Sequence, residues 1–385
     1  MGLILAAWCV TGFAPTARAA SSPLDALADD IQYLDALRVN PATGFDPARI
    51  SDLLDFVVGF TGKPAKVDLP DLKATDGKPM TDAFWSFSLK TPFSSMLRYN
   101  YDPSIPQCMT LPSVLRLGGW LNGDAAASAL GGLWDKLPNV AAPVVFRGEE
   151  DEQTTPDTHT GGYYTYTTER LVTLFNYKGR DFLVTLSRLR QPSAIGRKGL
   201  VLGEDDEWNY FYSGLDGLKL PLFGWSDVDS YVYDSVSVFV QFADGPGATR
   251  VNALKWLHAG WRGLNMVGRS DIHDGLKRME TGMRQILESP LLPPAEELAE
   301  YAGKVRTLSD AELRGRVRVA CPDMEELAKE HAELRRKEFA AVIHNGGYVD
   351  TLSRPQLESA LLKAYMRGKV MQPAIIQAQR RTTIQ

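Results

Sequence analysis

"DSYVYDSVSVFVQF" at residues 229–242 decides how the chain is read. Val232, Val236, Val238, Val240 and Phe242 fall on one side of an extended backbone, because strand side chains alternate between two faces. Such a strand needs partners, and the sequence supplies them upstream. "YYTYTTERLVTLFNY" (163–177) and "RDFLVTLSRL" (180–189) are rich in Thr, Val, Tyr and Phe, and Lys178-Gly179 between them reads as a hairpin turn. "LVLG" (200–203) and "EWNYFYSG" (207–214) continue the pattern. Short connections of this kind point to an antiparallel sheet and not to βαβ units.

Downstream the period changes. "RVNALKWLHAGWRGLNMV" (250–267) spaces Leu254, Leu257, Trp261 and Leu264 as a helix would. "SDIHDGLKRMETGMRQILES" (270–289) does the same with Ile272, Leu276, Met279, Met283 and Ile286, and Ser270 reads as its N-cap. Gly260, Gly263, Gly268, Gly275 and Gly282 are costly in helices, which suggests a neighbour packed close to that backbone.

Upstream, residues 23–60 read as two helices, the second entered by Asp46 and Pro47. Two strand-like runs follow, "AFWSFSLK" (83–90) and "SMLRYNY" (95–101), and 112–137 is ambiguous between helix and Gly-broken segments. Beyond 290 the chain is charged helix. "TLSDAEL" (307–313) and "TLSRPQL" (351–357) each carry a capping box, Ser309 with Glu312 and Ser353 with Gln356.

The expected fold is therefore α+β. A curved antiparallel sheet of roughly six to eight strands over 83–242 is packed by long C-terminal helices, with further helices flanking it. This helix-grip-like arrangement is similar in architecture to START-like lipid-binding domains, although no motif here carries that family. The expected division is 1–19 signal peptide, 20–80 N-terminal helical segment, 81–290 α+β core and 291–385 charged helical extension.

Composition narrows the function classes. Apolar residues make up 44% and charged residues 23% of the 385, enough for a sizeable core. A net charge of −5 with scattered Lys and Arg argues against a nucleic-acid binder. "MGLILAAWCVTGFAPTARA" is an apolar run ending in Ala17-Arg18-Ala19, a small-x-small cleavage signature. It predicts export to the periplasm or medium with cleavage near Ala19, and no membrane span in the mature chain. Cys108 and Cys321 then remain, a candidate disulfide in an oxidising compartment or two separate thiols.

Catalytic signatures are missing. There is no His-Glu-x-x-His, Gly-x-Ser-x-Gly, Walker loop or Gly-x-Gly-x-x-Gly fingerprint, and no two of the five histidines share a short metal spacing. No catalytic residue or cofactor is assigned. The acidic block at Asp205, Asp206 and Glu207 is a weak candidate metal site, because calcium loops alternate acids with spacers. It reads better as a charged turn entering a strand that carries Trp208, Tyr210 and Tyr212 on one face. Those three aromatics, with Trp256, His258, Trp261 and Met266, are the candidate ligand-binding residues. Trp256, Trp261 and Met266 among glycines could form a lid over an apolar cavity under the sheet. The expected function is an exported, non-enzymatic protein that binds an apolar or amphipathic, lipid-like ligand. The alternatives are a hydrolase using Asp/Glu or a composite metal site around 204–229, and a scaffold docking a protein partner through its C-terminal helices.

Overall fold

The computed structural model of the protein describes residues 23–113, 115–154, 164–194, 201–204, 208–212, 231–261, 264–321, 324–330, 335 and 348–371. It is a mixed α+β structure built on one antiparallel sheet. The strands are β1 (Thr81–Leu89), β2 (Leu115–Trp120), β3 (Val144–Thr154), β4 (Tyr164–Tyr177), β5 (Arg180–Leu189), the two-residue β6 (Ser193–Ala194), β9 (Tyr231–Ala243) and β10 (Thr249–Trp261). They lie in the order β1-β10-β9-β5-β4-β3-β2, with β6 pairing onto β9. Between them in sequence, β7 (Val201–Glu204) and β8 (Asn209–Tyr212) form a separate hairpin. Lys178 and Gly179 both take positive φ, the tight turn expected between β4 and β5.

Helices cover both faces. On one face lie α1 (Pro23–Val39) and α2 (Ser51–Gly59). Leu34, Leu37, Leu53 and Leu54 meet Phe84, Phe175, Phe182, Val238, Val240, Leu254 and Trp256 in a dry apolar core. Val236, Val238, Val240 and Phe242 share that face, as the alternation predicts. The chain enters α2 through a short turn that Asp46 caps, its side chain accepting from the Ala48 amide.

On the opposite face α5 (Arg269–Leu287) packs across β1, followed by α6 (Ala295–Thr307), α7 (Asp310–Ala320), α8 (Met324–Glu330) and α9 (Arg354–Val370). Ahead of them, α4 (Gly123–Leu130) sits beside β2 and β3, and α3 (Phe93–Tyr101) packs on the 3-10 turn at Leu133–Lys136. Leu298, Val305, Leu313, Leu357, Leu362 and Met366 join Met96, Leu97, Met109, Leu130 and Met283 in one continuous core. Both predicted capping boxes are formed, at Ser309/Glu312 and Ser353/Gln356.

Two expectations fail. Residues 249–261 are a strand and not a helix. Val251, Ala253, Leu257 and Ala259 go to one face, while Leu254, Trp256 and His258 go to the other. Helices bury both faces of this strand, so the alternation of polarity that marks a half-exposed strand is lost. Apolar residues then recur at spacings that mimic a helix. Residues 95–101 are helix and not strand. Phe93, Met96 and Leu97 bury one helical face, and Pro92 occupies the N-cap position. The ambiguous 112–137 region resolves into β2, α4 and a 3-10 turn at Leu133–Lys136. The N-cap of α5 lies two residues earlier than expected, at Gly268, whose amide donates to Asp271 Oδ2 at 2.8 Å. The segments 1–19, 196–199, 205–207 and 331–334 lie outside the described residues, as do His159 and His344.

Candidate functional site

The sheet face under α5 is not apolar throughout, and that difference makes the site. Register carries a row of polar side chains across four strands. Lys255 on β10 faces Ser237 on β9, Ser237 faces Ser187 on β5, and Ser187 faces Arg170 on β4. In neighbouring rows Glu150 on β3 faces Thr168, and Glu152 faces Tyr166. A β-strand can place such groups on one wall while keeping Val and Phe on the other, because its side chains alternate.

All of these except Glu150, which lies behind Arg170, border a cavity of about 530 Å³. That lies within the range of roughly 300–1,000 Å³ found for small-molecule sites. One wall is the polar set, with Tyr101 and Asn100 of α3 added. The other is apolar: Ile272, Leu276, Met279 and Met283 on α5, facing Val251, Leu257 and Phe239 on the sheet. The cavity is amphipathic by construction.

Its polar end is organised by Arg170. Nη1 lies 2.7 Å from Glu150 Oε2 and Nη2 2.6 Å from Glu152 Oε1, while Nε donates to Ser187 Oγ at 2.9 Å. The guanidinium carbon stands 5.9 Å from the centre of the Trp120 ring. Gly148, opposite Arg170, has Phe146 and Trp120 where its Cβ would be, the nearest ring atoms at 2.9 Å, so this aromatic support admits only glycine. Burial alone would lower the Arg170 guanidinium pKa, but Glu150, Glu152, Tyr101 and Tyr166 reverse this and fix the charged form.

Glu150 is the group under most strain. It is 1% exposed. Burial raises its pKa to about 7, against the pull of Arg170 and with the push of Glu152. The contact with Arg170 is an ion pair without hydrogen-bond direction, and neither carboxyl oxygen has a hydrogen-bond partner. Thr168 Oγ1 and Gln241 Oε1 are likewise buried without one. Burial, followed by Glu152 and Tyr233, holds the Tyr166 phenol well above its ordinary range, and its ring stacks on Tyr233 with centroids 5.6 Å apart. Buried polar groups of this kind raise the free energy of the empty protein.

The predicted site residues scatter. Met266 lines the cavity and is 60% exposed at its edge. Trp256 and His258 belong to the opposite face. Trp256 Nε1 donates to the Pro70 carbonyl at 2.8 Å, and His258 Nδ1 is 3.2 Å from the Pro79 carbonyl. The strand conformation of 249–261 sends them there, and both are corrected to structural residues. Trp208 is buried in the main core with its Nε1 donating to Gln285 Oε1 of α5, and it does not border the cavity. Tyr210 and Tyr212 lie on β8 and Trp261 ends β10, but their side chains are outside the described residues. Asp205, Asp206 and Glu207 are outside them altogether.

Among the described residues no three His, Cys, Asp or Glu side chains gather as a metal site. Cys108 and Cys321 are both free thiols, so no bridge joins them. Burial raises the Cys108 thiol pKa and pushes that of Cys321 up to about 11. No described helix is long and apolar enough to cross a membrane.

Sequence reasoning missed the Arg170 cluster, although a signal was present. "FRGEEDEQ" (146–153) and "TTERLV" (167–172) put acids and an arginine inside strand-forming runs. Charged residues there mark either a solvated face or a buried network, and only the covering α5 decides between them. Neither protein-family models nor curated proteins show a match to this chain.

Proposed function

We propose that the protein binds an amphipathic small molecule, lipid-like in having one apolar and one polar part, in the cavity between the sheet and α5. The single observation that carries this reading is the cavity's two-sided lining, with methionine and leucine from α5 facing a polar wall anchored by Arg170. The placement of α5 against the sheet supports a helix-grip-like description. Export is part of the proposal and rests on the apolar N-terminal run ending in Ala17-Arg18-Ala19.

An acid–base enzyme is the second reading, because Glu150 titrates near neutrality beside a second carboxylate. It has less support. Both carboxylates are held by Arg170, and Glu150 is sealed from the cavity at 1% exposure. A scaffold acting through the C-terminal helices has less still, since α6, α7 and α9 turn their apolar faces into the core.

The test is native mass spectrometry of the protein taken from its exported fraction, with mass spectrometry of the organic extract. A co-purifying amphiphile is expected. Ser235→Phe places an aromatic ring in the cavity from β9 and should abolish its retention while the protein still folds. An apo mass for the wild type, or full retention by Ser235→Phe, counts against the cavity as the binding site.

A further inference from the structure

The charged groups around the cavity can be taken one by one, and among the described residues Lys255 is the lining cation without an ion-pair partner. Arg170 is fully engaged by Glu150, Glu152 and Ser187. Of the two aspartates at the cavity's exposed edge, Asp271 Oδ2 accepts from the Gly268 amide at 2.8 Å as part of the α5 cap. Asp274 is exposed. Lys255 lines the cavity half-buried and has no hydrogen-bond or ion-pair partner among the described residues.

Its surroundings leave room at its tip. Across the sheet it stands between Ser237 on β9 and Ala83 on β1, and along β10 its same-face neighbours are Ala253 and Leu257. Three of these four are small. The α5 side chains Ile272, Leu276 and Met279 form the apolar wall beside the same strand. A half-buried ammonium without a direct ion-pair or hydrogen-bond partner is incompletely compensated for desolvation, and the head of a bound anion would supply that contact.

We propose, resting on the ligand-binding reading of this cavity, that its ligand is a single-tailed amphiphile with a carboxylate head. Lys255 holds the head, and the tail lies along α5. One unpaired ammonium neutralises one negative charge. A dianionic phosphate would call for a second cation, and Arg170 is already taken. An ammonium head would have to displace Arg170 from Glu150 and Glu152.

The experiment uses the full chain, stripped of lipid, and three probes of equal tail length: dodecanoate, dodecan-1-ol and dodecylammonium. Affinities are measured by calorimetry on the wild type, Lys255→Met and Lys255→Arg. The wild type should bind dodecanoate at least ~10-fold tighter than the alcohol, the size expected for one charge-assisted contact. Lys255→Met should erase that preference and leave the alcohol's affinity unchanged, while Lys255→Arg should keep it. Equal binding of acid and alcohol by the wild type overturns the proposal, as does an acid preference that survives in Lys255→Met. Tightest binding of dodecylammonium also overturns it, and moves the head to the Glu150/Glu152 end. If none of the three binds, the cavity reading itself fails, a result distinct from loss of the head-group preference alone.

Discussion

At the residue scale, Glu150 sets a pH dependence whose sign can be worked out. Its ordinary value is 4.5 and its value in the fold is about 7, raised by burial. Between these pH values the native protein holds a proton that the unfolded chain has released. Stability from this group is therefore greatest below about pH 4.5 and is lost as pH rises toward 7. The full effect is on the order of 3 kcal/mol, at about 1.4 kcal/mol per unit. Glu150→Gln should abolish it. Denaturant unfolding at pH 5 and pH 8 should show the wild type losing stability relative to the variant over that interval. A wild type that gains on the variant would refute the assignment. Asp30, raised by burial from 3.8 to about 6, acts with the same sign at lower pH and cancels in the comparison.

At the scale of elements, α5 shows why glycine spacing in this chain matters. A Cβ on Gly282 would lie 2.5 Å from the buried Ser113 Oγ. Gly303 in α6 and Gly315 in α7 have nothing within 4 Å. Gly303→Ala and Gly315→Ala should each stabilise by about 0.5–1 kcal/mol through helix propensity and the unfolded chain. Gly282→Ala should reverse the sign and cost on the order of 1 kcal/mol, because Ser113 must give up its place. Thermal melts of the three variants decide this, and a stabilised Gly282→Ala would show that the contact yields freely.

The legible and illegible elements divide along the same physical line. Val236, Val238, Val240 and Phe242 of β9 could be placed because Ser235 and Ser237 break the apolar run with period two. The Ser309 and Ser353 caps could be placed because their chemistry is local. β10 could not, since Ala253, Leu254, Trp256 and Leu257 are buried on two different faces by two different sets of helices. The same double cover hid the site. Trp256, expected as a ligand contact, lies in the opposite core, while Arg170, Glu150 and Glu152, which drew no site reading from the sequence, are enclosed.

On the scale of the whole molecule, the C-terminal helices are not an appendage. Leu357, Leu362 and Met366 of α9 share a core with Met96, Met109 and Leu130, and Lys363 Nζ donates to the Pro112 carbonyl at 2.7 Å. Removing residues 294–385 should therefore expose this core. The truncated protein should bind hydrophobic dyes and lose a cooperative melt, as monitored by near-ultraviolet circular dichroism. A truncated protein that melts as sharply as the full chain would make the helices separable. In that case the partner-docking reading regains ground.

One feature of β9 reaches further. Its even-numbered residues Val236, Val238 and Val240 lie in the core under α1 and α2, while its odd-numbered Ser235, Ser237 and Phe239 border the cavity. The two jobs of the strand are interleaved yet chemically independent. One set of side chains anchors the architecture, and the other is free to be rewritten. A library varying only the cavity-facing positions of β5, β9 and β10 would leave the load on the far side untouched. The sheet is thus a chassis on which new pocket chemistries can be selected without rebuilding the frame.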